Sequence, residues 1–262
     1  MEKDFQEKSL RRKYFISSLG FLVLIFLISV KPAVNNIITD VYFWISFAGV
    51  SLVTFFIPSY KFYSSKSFAR RIYNITDFLA LFVIACCIFQ FIFTFGFFKA
   101  DVSGSSMSPT LREGNVLIVR SNNNVDNFDI VIVEYDSNKN ISDVGIDDNE
   151  LLVKRLIAKS GDSFNITNGV LILNDRAYSE NYVIYKKKFN SLNPNLSQFV
   201  GKGLTYDATL DRYTVSDGYY FVLGDNRDNS LDSRTFGLVS QEQIIGKVVY
   251  RVKSLFDWER VE

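Results

Sequence analysis

The sequence predicts a chain of two parts: three N-terminal transmembrane helices, followed by a mainly β domain. Three observations carry this. Apolar runs long enough to cross a bilayer occupy the first 98 residues, and short runs rich in Val, Ile and Tyr, separated by Asn, Asp and Gly, fill the rest. The charge also changes sign at the junction: residues 1–98 hold 10 Lys/Arg against 5 Asp/Glu, and residues 99–262 hold 19 against 23. A length of 262 residues accommodates a membrane unit (1–98) and one further domain (99–262).

The membrane runs lie at about 14–30 (YFISSLGFLVLIFLISV), 41–57 (VYFWISFAGVSLVTFFI) and 78–98. A helix needs roughly 20 residues to cross, so the second run stays open between a span and a buried or interfacial helix. The first follows Lys8, Arg11, Arg12 and Lys13, as a cleavable export signal would. It is followed by Lys31-Pro32-Ala33-Val34, without the small-x-small pair that cleavage needs, and is read as a retained anchor. Cytoplasmic loops collect Lys and Arg. The N-terminal tail has five, the 31–40 connection one, and the 58–77 connection four (Lys61, Lys66, Arg70, Arg71). This alternation puts the N-terminus in the cytoplasm and everything after Lys99 outside it. Tyr42, Trp44 and Tyr60 fall near span ends, where aromatic rings bridge lipid and headgroup.

Strands are predicted at 116–120 (VLIVR), 129–135 (DIVIVEY), 151–158 (LLVKRLIA), 170–173 (VLIL), 219–223 (YYFVL) and 245–252 (GKVVYRV, preceded by Ile245). Asn168-Gly169, between FNI and VLIL, marks a hairpin because both residues tolerate positive φ. Residues 176–217, with Lys186-Lys187-Lys188 and many Asn and Ser, read as a mostly solvated loop or a small insertion subdomain. Asn122-Asn123-Asn124 reads as a turn. No helical periodicity competes, so the domain is all β.

The chain has no histidine, which excludes a Ser-His-Asp triad, an HExxH zinc site and a Cys-His pair. The two cysteines, Cys86 and Cys87, are adjacent in an apolar run and read as buried hydrophobes. No metal or organic cofactor is expected. The weakly acidic C-terminal part offers no basic face to phosphates, which excludes nucleic acid as a partner.

Three stretches carry chemistry. DVSGSSMSPTLREGN, at 101–115, sets three serines and a proline directly behind the third apolar run. A serine hydroxyl is a poor nucleophile until a base takes its proton, and without histidine a neutral lysine is the usual substitute. LLVKRLIAKSGD supplies one: Lys154 sits in a run that reads as a buried strand, where desolvation favours the neutral amine. Its pKa must fall about three units from roughly 10.4 to act at neutral pH. Taken singly, a serine there is also a turn former and the lysine also a snorkelling edge residue. GDNRDNSLDSRTFG, at 224–237, is dense in Asp and Asn. With Asp225 first, a calcium loop would place Gly sixth and Glu twelfth, but Ser230 and Phe236 stand there. Alternating Asp and Arg suit interlocking ion pairs and Asx turns around a fixed site.

SMSPTL preceded by Gly104-Ser105, then FDIVIVEY, KRLIAKSGD and GDNRDNSLDSRTFG, resemble the ordered blocks of type I signal peptidases, across about residues 100–250. These are membrane-bound Ser-Lys proteases that remove signal peptides from exported preproteins. The resemblance implies a signal-peptidase or repressor-protease-like β fold, with a reduced second subdomain given the short spacing before the last block. It implies Ser106 as nucleophile and Lys154 as general base, with Ser230 orienting the lysine. Arg155, Asp225, Asp232 and Arg234 would brace the site through ion pairs. Met107, Leu111 and Val153 would line pockets for small side chains. In several members a serine two residues before the nucleophile donates to the oxyanion; here that position is Gly104, leaving the Ser106 N–H and, as a candidate second donor, Ser105. Expected partners are exported preproteins, membrane lipid and the secretion translocon.

Eight residues separate Phe98 from Ser106, at most about 25 Å of extended chain, which keeps that hydroxyl near the outer headgroups. A self-cleaving repressor-like protease shares the chemistry but expects a soluble DNA-binding N-terminus. The other alternative is a catalytically impaired relative acting as a preprotein-binding or scaffold subunit.

Overall fold

The computed structural model describes residues 96–121, 124–141, 145–167, 169–183, 194–254 and 257–261, with isolated positions before 96. The three predicted spans, Cys86, Cys87, Asn122, Asn123, Asn168 and Lys186-Lys187-Lys188 lie outside the described residues, apart from single positions within the spans. Among the described residues no helix is long and apolar enough to cross a membrane. The chain divides into two compact units, Met1–Phe98 and Lys99–Glu262.

The second unit is built on two antiparallel sheets. The strands of the larger are β1 (Phe97–Asp101), β2 (Val116–Arg120), β3 (Ile130–Glu134), β4 (Leu151–Lys159), β10 (Tyr219–Leu223), β11 (Val239–Ser240), β12 (Ile244–Ser254) and β13 (Asp257–Arg260). Their order is β1-β2-β12-β3-β4-β10-β11, with β13 paired to β12. The smaller sheet runs β7-β6-β5-β9-β8, from β5 (Ser163–Thr167), β6 (Val170–Leu173), β7 (Arg176–Tyr178), β8 (Leu204–Asp207) and β9 (Arg212–Val215). The predicted strands at 116–120, 170–173 and 219–223 coincide with β2, β6 and β10. The predicted hairpin is there too, with Thr167 opposite Val170 and Gly169 at φ +76°.

Strand periodicity explains why β10 sits at the centre. Successive side chains face opposite sides of a sheet. Phe221 and Leu223 pack with Phe164, Ile166, Leu171 and Leu204 of the smaller sheet, while Tyr220 and Val222 pack with Val131, Val133, Tyr135 and Phe236. Fully burying each such side chain stabilises by about 1.5–3 kcal/mol. β4 is buried through its middle and continues past the predicted end at 158 to Lys159. A register shift opposite Phe221/Val222 lets it follow β10.

Two differences from the sequence reading have physical causes. Phe97 and Phe98, counted into the third apolar run, belong to β1, where aromatic side chains favour extended backbone. Residues 176–217, read as a mostly solvated loop or a small insertion subdomain, hold among the described residues β7, a 3-10 helix (Pro194–Phe199), β8 and β9, with Leu196, Phe199, Leu204 and Val215 buried. These strands have only three or four residues and mixed exposure, so alternation is short and weak. The smaller sheet also begins earlier, at Ser163, because the 163–173 hairpin is part of it.

Candidate active site

The loop from β1 to β2 is closed at its neck by Val102 N–H donating to Asn115 O and Gly114 N–H to Val102 O, both at 2.9 Å. Within it, Ser108 N–H donates to Ser105 O at 3.0 Å and Leu111 N–H to Met107 O at 2.9 Å, a turn continued by one helical step. Met107 and Leu111, 1% and 0% exposed, pin this turn to the core, while Ser105 is exposed and Ser106 half-buried. Gly104 enters the turn at φ +82°, and an added β-carbon would meet nothing within 4 Å. Backbone conformation, not space, is what glycine supplies there.

Lys154 lies in β4 opposite Val131, 3% exposed. Its Nζ donates to Ser106 Oγ at 3.0 Å and to the Val153 carbonyl at 3.1 Å. Burial pushes its pKa below the ordinary lysine value; the charges of Asp232 and Glu150 oppose this, and that of Arg234 adds to it. A neutral amine at this distance can accept a hydrogen bond from the Ser106 hydroxyl.

The 224–237 stretch leaves β10 and closes over the serine turn. Asn226 N–H donates to Ser106 O at 2.9 Å, Asn226 Nδ2 to Ser105 O at 3.1 Å and Asn229 Nδ2 to Ser105 Oγ at 2.8 Å. Gly224 is where the two segments touch: a β-carbon on it would lie 2.5 Å from Ser106 O and 2.2 Å from Ser230 Oγ. Its N–H donates to Asp232 Oδ2 at 3.0 Å, and its carbonyl accepts from Arg227 Nε at 3.0 Å.

Two carboxylates hold this stretch in place. Asp225, fully buried, takes both Arg155 Nε and Nη2 at 2.8 Å and Thr110 Oγ1 at 2.5 Å. Arg155 also donates Nη1 to Phe128 O at 2.8 Å and stacks 4.0 Å above the Tyr182 ring. Asp232 takes Arg234 Nε and Nη2 at 2.7 Å and caps the single-turn helix α1 (Ser233–Phe236). Burial pushes the Asp232 carboxyl up, but the Arg234 hydrogen bond and charge and the Gly224 N–H outweigh it, with a smaller contribution from Ser230, and the pKa lies below its ordinary value.

Of the residues singled out in the sequence, the structure joins Ser106 to Lys154, Arg155 to Asp225, and Asp232 to Arg234. Ser230 Oγ is buried against Gly224 and makes no full hydrogen bond, to Lys154 or any other group. Of the three expected pocket residues, Met107 and Leu111 are in the core and Val153 is half-buried. A surface cavity of about 310 Å³ lies elsewhere on the loop, bordered by Pro109, Thr110, Arg251 and Glu259. No cluster of three or more metal-ligating side chains occurs among the described residues. The sequence reading passed over Thr110, Gly224, Asn226 and Asn229, each inside a motif stretch. It also passed over the buried pair Glu180–Arg227 with Tyr182, whose Glu180 and Tyr182 stand in a polar segment without any local signal.

Residues 75–253 match the family model described as signal peptidase, peptidase S26. A signal peptidase I from Bacillus caldolyticus is 36% identical over 176 residues, 64% of this chain and 86% of that one. A signal peptidase IB from Staphylococcus aureus is 33% identical over 174 residues, 65% and 83% of the two chains. A solved signal peptidase I from Enterococcus faecalis V583 is 29% identical, covering 47% of this chain and 95% of that one, with a TM-score of 0.33.

Proposed function

This chain belongs to the S26 signal peptidases and has signal peptidase I function, and from that premise we propose that Ser106 and Lys154 are the dyad that cuts the signal peptide. The observation that carries the reading is the 3.0 Å contact between Lys154 Nζ and Ser106 Oγ, in a pocket where burial favours the neutral amine. Ser106 Oγ attacks the scissile carbonyl carbon while Nζ takes its proton. The Ser106 N–H donates to the oxyanion. As the C–N bond breaks, the Lys154 ammonium returns the proton to the leaving amine, and the signal peptide stays as an ester on Ser106. Water, deprotonated by Lys154, then hydrolyses the ester.

Ser230 supports this chemistry in a particular way. Its buried hydroxyl makes only a weak contact with Asp232, and a buried hydroxyl short of a full hydrogen bond is one that function can use. In this reading that hydroxyl is the orienting partner of the Lys154 amine. Val153, half-buried and next to Lys154 in β4, offers apolar surface to a small side chain, while Met107 and Leu111 are buried in the serine turn.

The membrane arrangement is part of the same reading: three spans at about 14–30, 41–57 and 78–96, the N-terminus cytoplasmic, the β domain outside. The apolar runs and the Lys/Arg alternation of their connections support it. Lipid and the secretion translocon are the neighbours this placement implies, and exported preproteins are the substrates.

The test is processing of a preprotein by the full chain in detergent, beside Ser106→Ala and Lys154→Met. Both variants are expected to lose at least about 10²–10⁴ in rate. Equal processing by all three overturns the mechanism, and binding without processing by the wild type selects the scaffold alternative. A C-terminal reporter active only in the cytoplasm should stay silent; activity reverses the orientation.

A further inference from the structure

Glu180 lies just beyond β7, outside every motif stretch, and is 4% exposed. A buried carboxylate must be paired and hydrogen-bonded to be tolerated. Arg227 supplies the pairing, with Nη1 donating to Oε2 at 3.1 Å and Nη2 to Oε1, and Tyr182 Oη donates to Oε1 at 2.8 Å. Nε of the same guanidinium donates to the Gly224 carbonyl at 3.0 Å. Gly224 is the residue on which the Ser106 carbonyl rests without room for a β-carbon. The Tyr182 ring lies under the second braced guanidinium, Arg155. The segment 180–182 therefore touches two arginines, Arg155 and Arg227, that act on the 224–237 stretch. The same guanidinium thus joins the buried Glu180 carboxylate to the Gly224 carbonyl.

We propose that Glu180 is a positioning residue for peptide cleavage: by setting the angle of the planar Arg227 fork it fixes Gly224, and through Gly224 the backbone of Ser106. This rests on the reading of Ser106 as nucleophile. Displacement of a reacting group by about an ångström costs on the order of a hundredfold in rate with little change in binding.

The full chain in detergent, assayed on a peptide spanning a cleavage site, tests this with Glu180→Gln, Arg227→Lys, Tyr182→Phe and Ser106→Ala. Glu180→Gln is expected to lower kcat about 10- to 100-fold with KM little changed. The acidic limb of the pH profile should stay in place, because the charges acting on Lys154 are Asp232, Glu150 and Arg234. Arg227→Lys keeps a cation opposite Glu180 but loses the fork, and should lower kcat as far. If Glu180→Gln does not fold, Tyr182→Phe decides: the loss of one hydrogen bond should lower kcat about two- to fivefold in protein still folded at the assay temperature. Wild-type kcat in the folded variant, or an effect confined to melting temperature or KM, overturns the positioning role. Ser106→Ala separates the two readings. If it is inactive while Glu180→Gln is fully active, only the positioning role falls; if it retains activity, the nucleophile assignment falls and the role with it.

Discussion

Lys154 Nζ meets Ser106 Oγ at 3.0 Å where β4 passes beneath the loop between β1 and β2. Burial holds the lysine pKa below its ordinary value and so favours the neutral amine relative to a lysine in water. A general base works when unprotonated, so kcat/KM should rise with pH along a limb set by Lys154. That limb should lie clearly below the ordinary lysine value of about 10.4. A pH profile of peptide cleavage whose rise sits at that ordinary value would remove the buried base.

Arg234 neutralises Asp232, and the two act on Lys154 with opposite sign: Asp232 raises its pKa and Arg234 lowers it. Arg234→Gln should therefore shift the acidic limb to higher pH. Its stability should also suffer, since Asp232 is fully buried and loses a bidentate partner. The sign follows from the lowered Asp232 pKa: its contribution is present above the unfolded carboxylate pKa and fades as pH falls through the folded one. An unmoved limb in folded Arg234→Gln would refute the electrostatic link.

Gly224→Ala adds a β-carbon 2.5 Å from the Ser106 carbonyl oxygen. Because a backbone atom stands in the way, the serine turn must shift, and kcat should fall by about a hundredfold or more. Peptide kinetics beside thermal melting measure this, and full activity would mean that Gly224 does not support the turn.

Lys154→Met should be inactive and at least as stable as the wild type, because it exchanges a buried amine for an apolar chain of similar length. With its folded pKa lowered, Lys154 destabilises the native state increasingly as pH falls from the unfolded lysine value toward the folded one. The advantage of Met should grow in that direction and then level off. Thermal melts across pH report it, and a variant less stable at every pH would contradict it.

Ser230→Ala removes the buried hydroxyl that makes no full hydrogen bond. Melting temperature should hold or rise, while kcat should drop by about tenfold or more if the hydroxyl orients the working lysine. Unchanged kcat would leave Ser230 outside the reaction.

Much of the β domain was legible because its central strands are long enough for alternation and composition to show: 116–120 and 219–223 coincide with β2 and β10. Short edge strands such as Arg176–Tyr178, whose first two residues are exposed, carry no such pattern. The two ion pairs could be anticipated as a set, since Arg155 follows the lysine and the acids crowd one stretch. Their partition into Arg155–Asp225 and Asp232–Arg234 was a matter of contact.

The sequence by itself determined the ingredients: no histidine, a serine turn behind an apolar run, a lysine inside a buried strand, and a dense acid–arginine stretch to close over them. Tertiary structure alone decided that Gly224 bears the Ser106 carbonyl, that Asn226 and Asn229 tie the turn down, and that Glu180 reaches the site through Arg227. The reason is physical. Residue type and spacing report what a segment can do locally, whereas a close approach or a shared hydrogen bond between segments dozens of residues apart exists only once both sheets have packed.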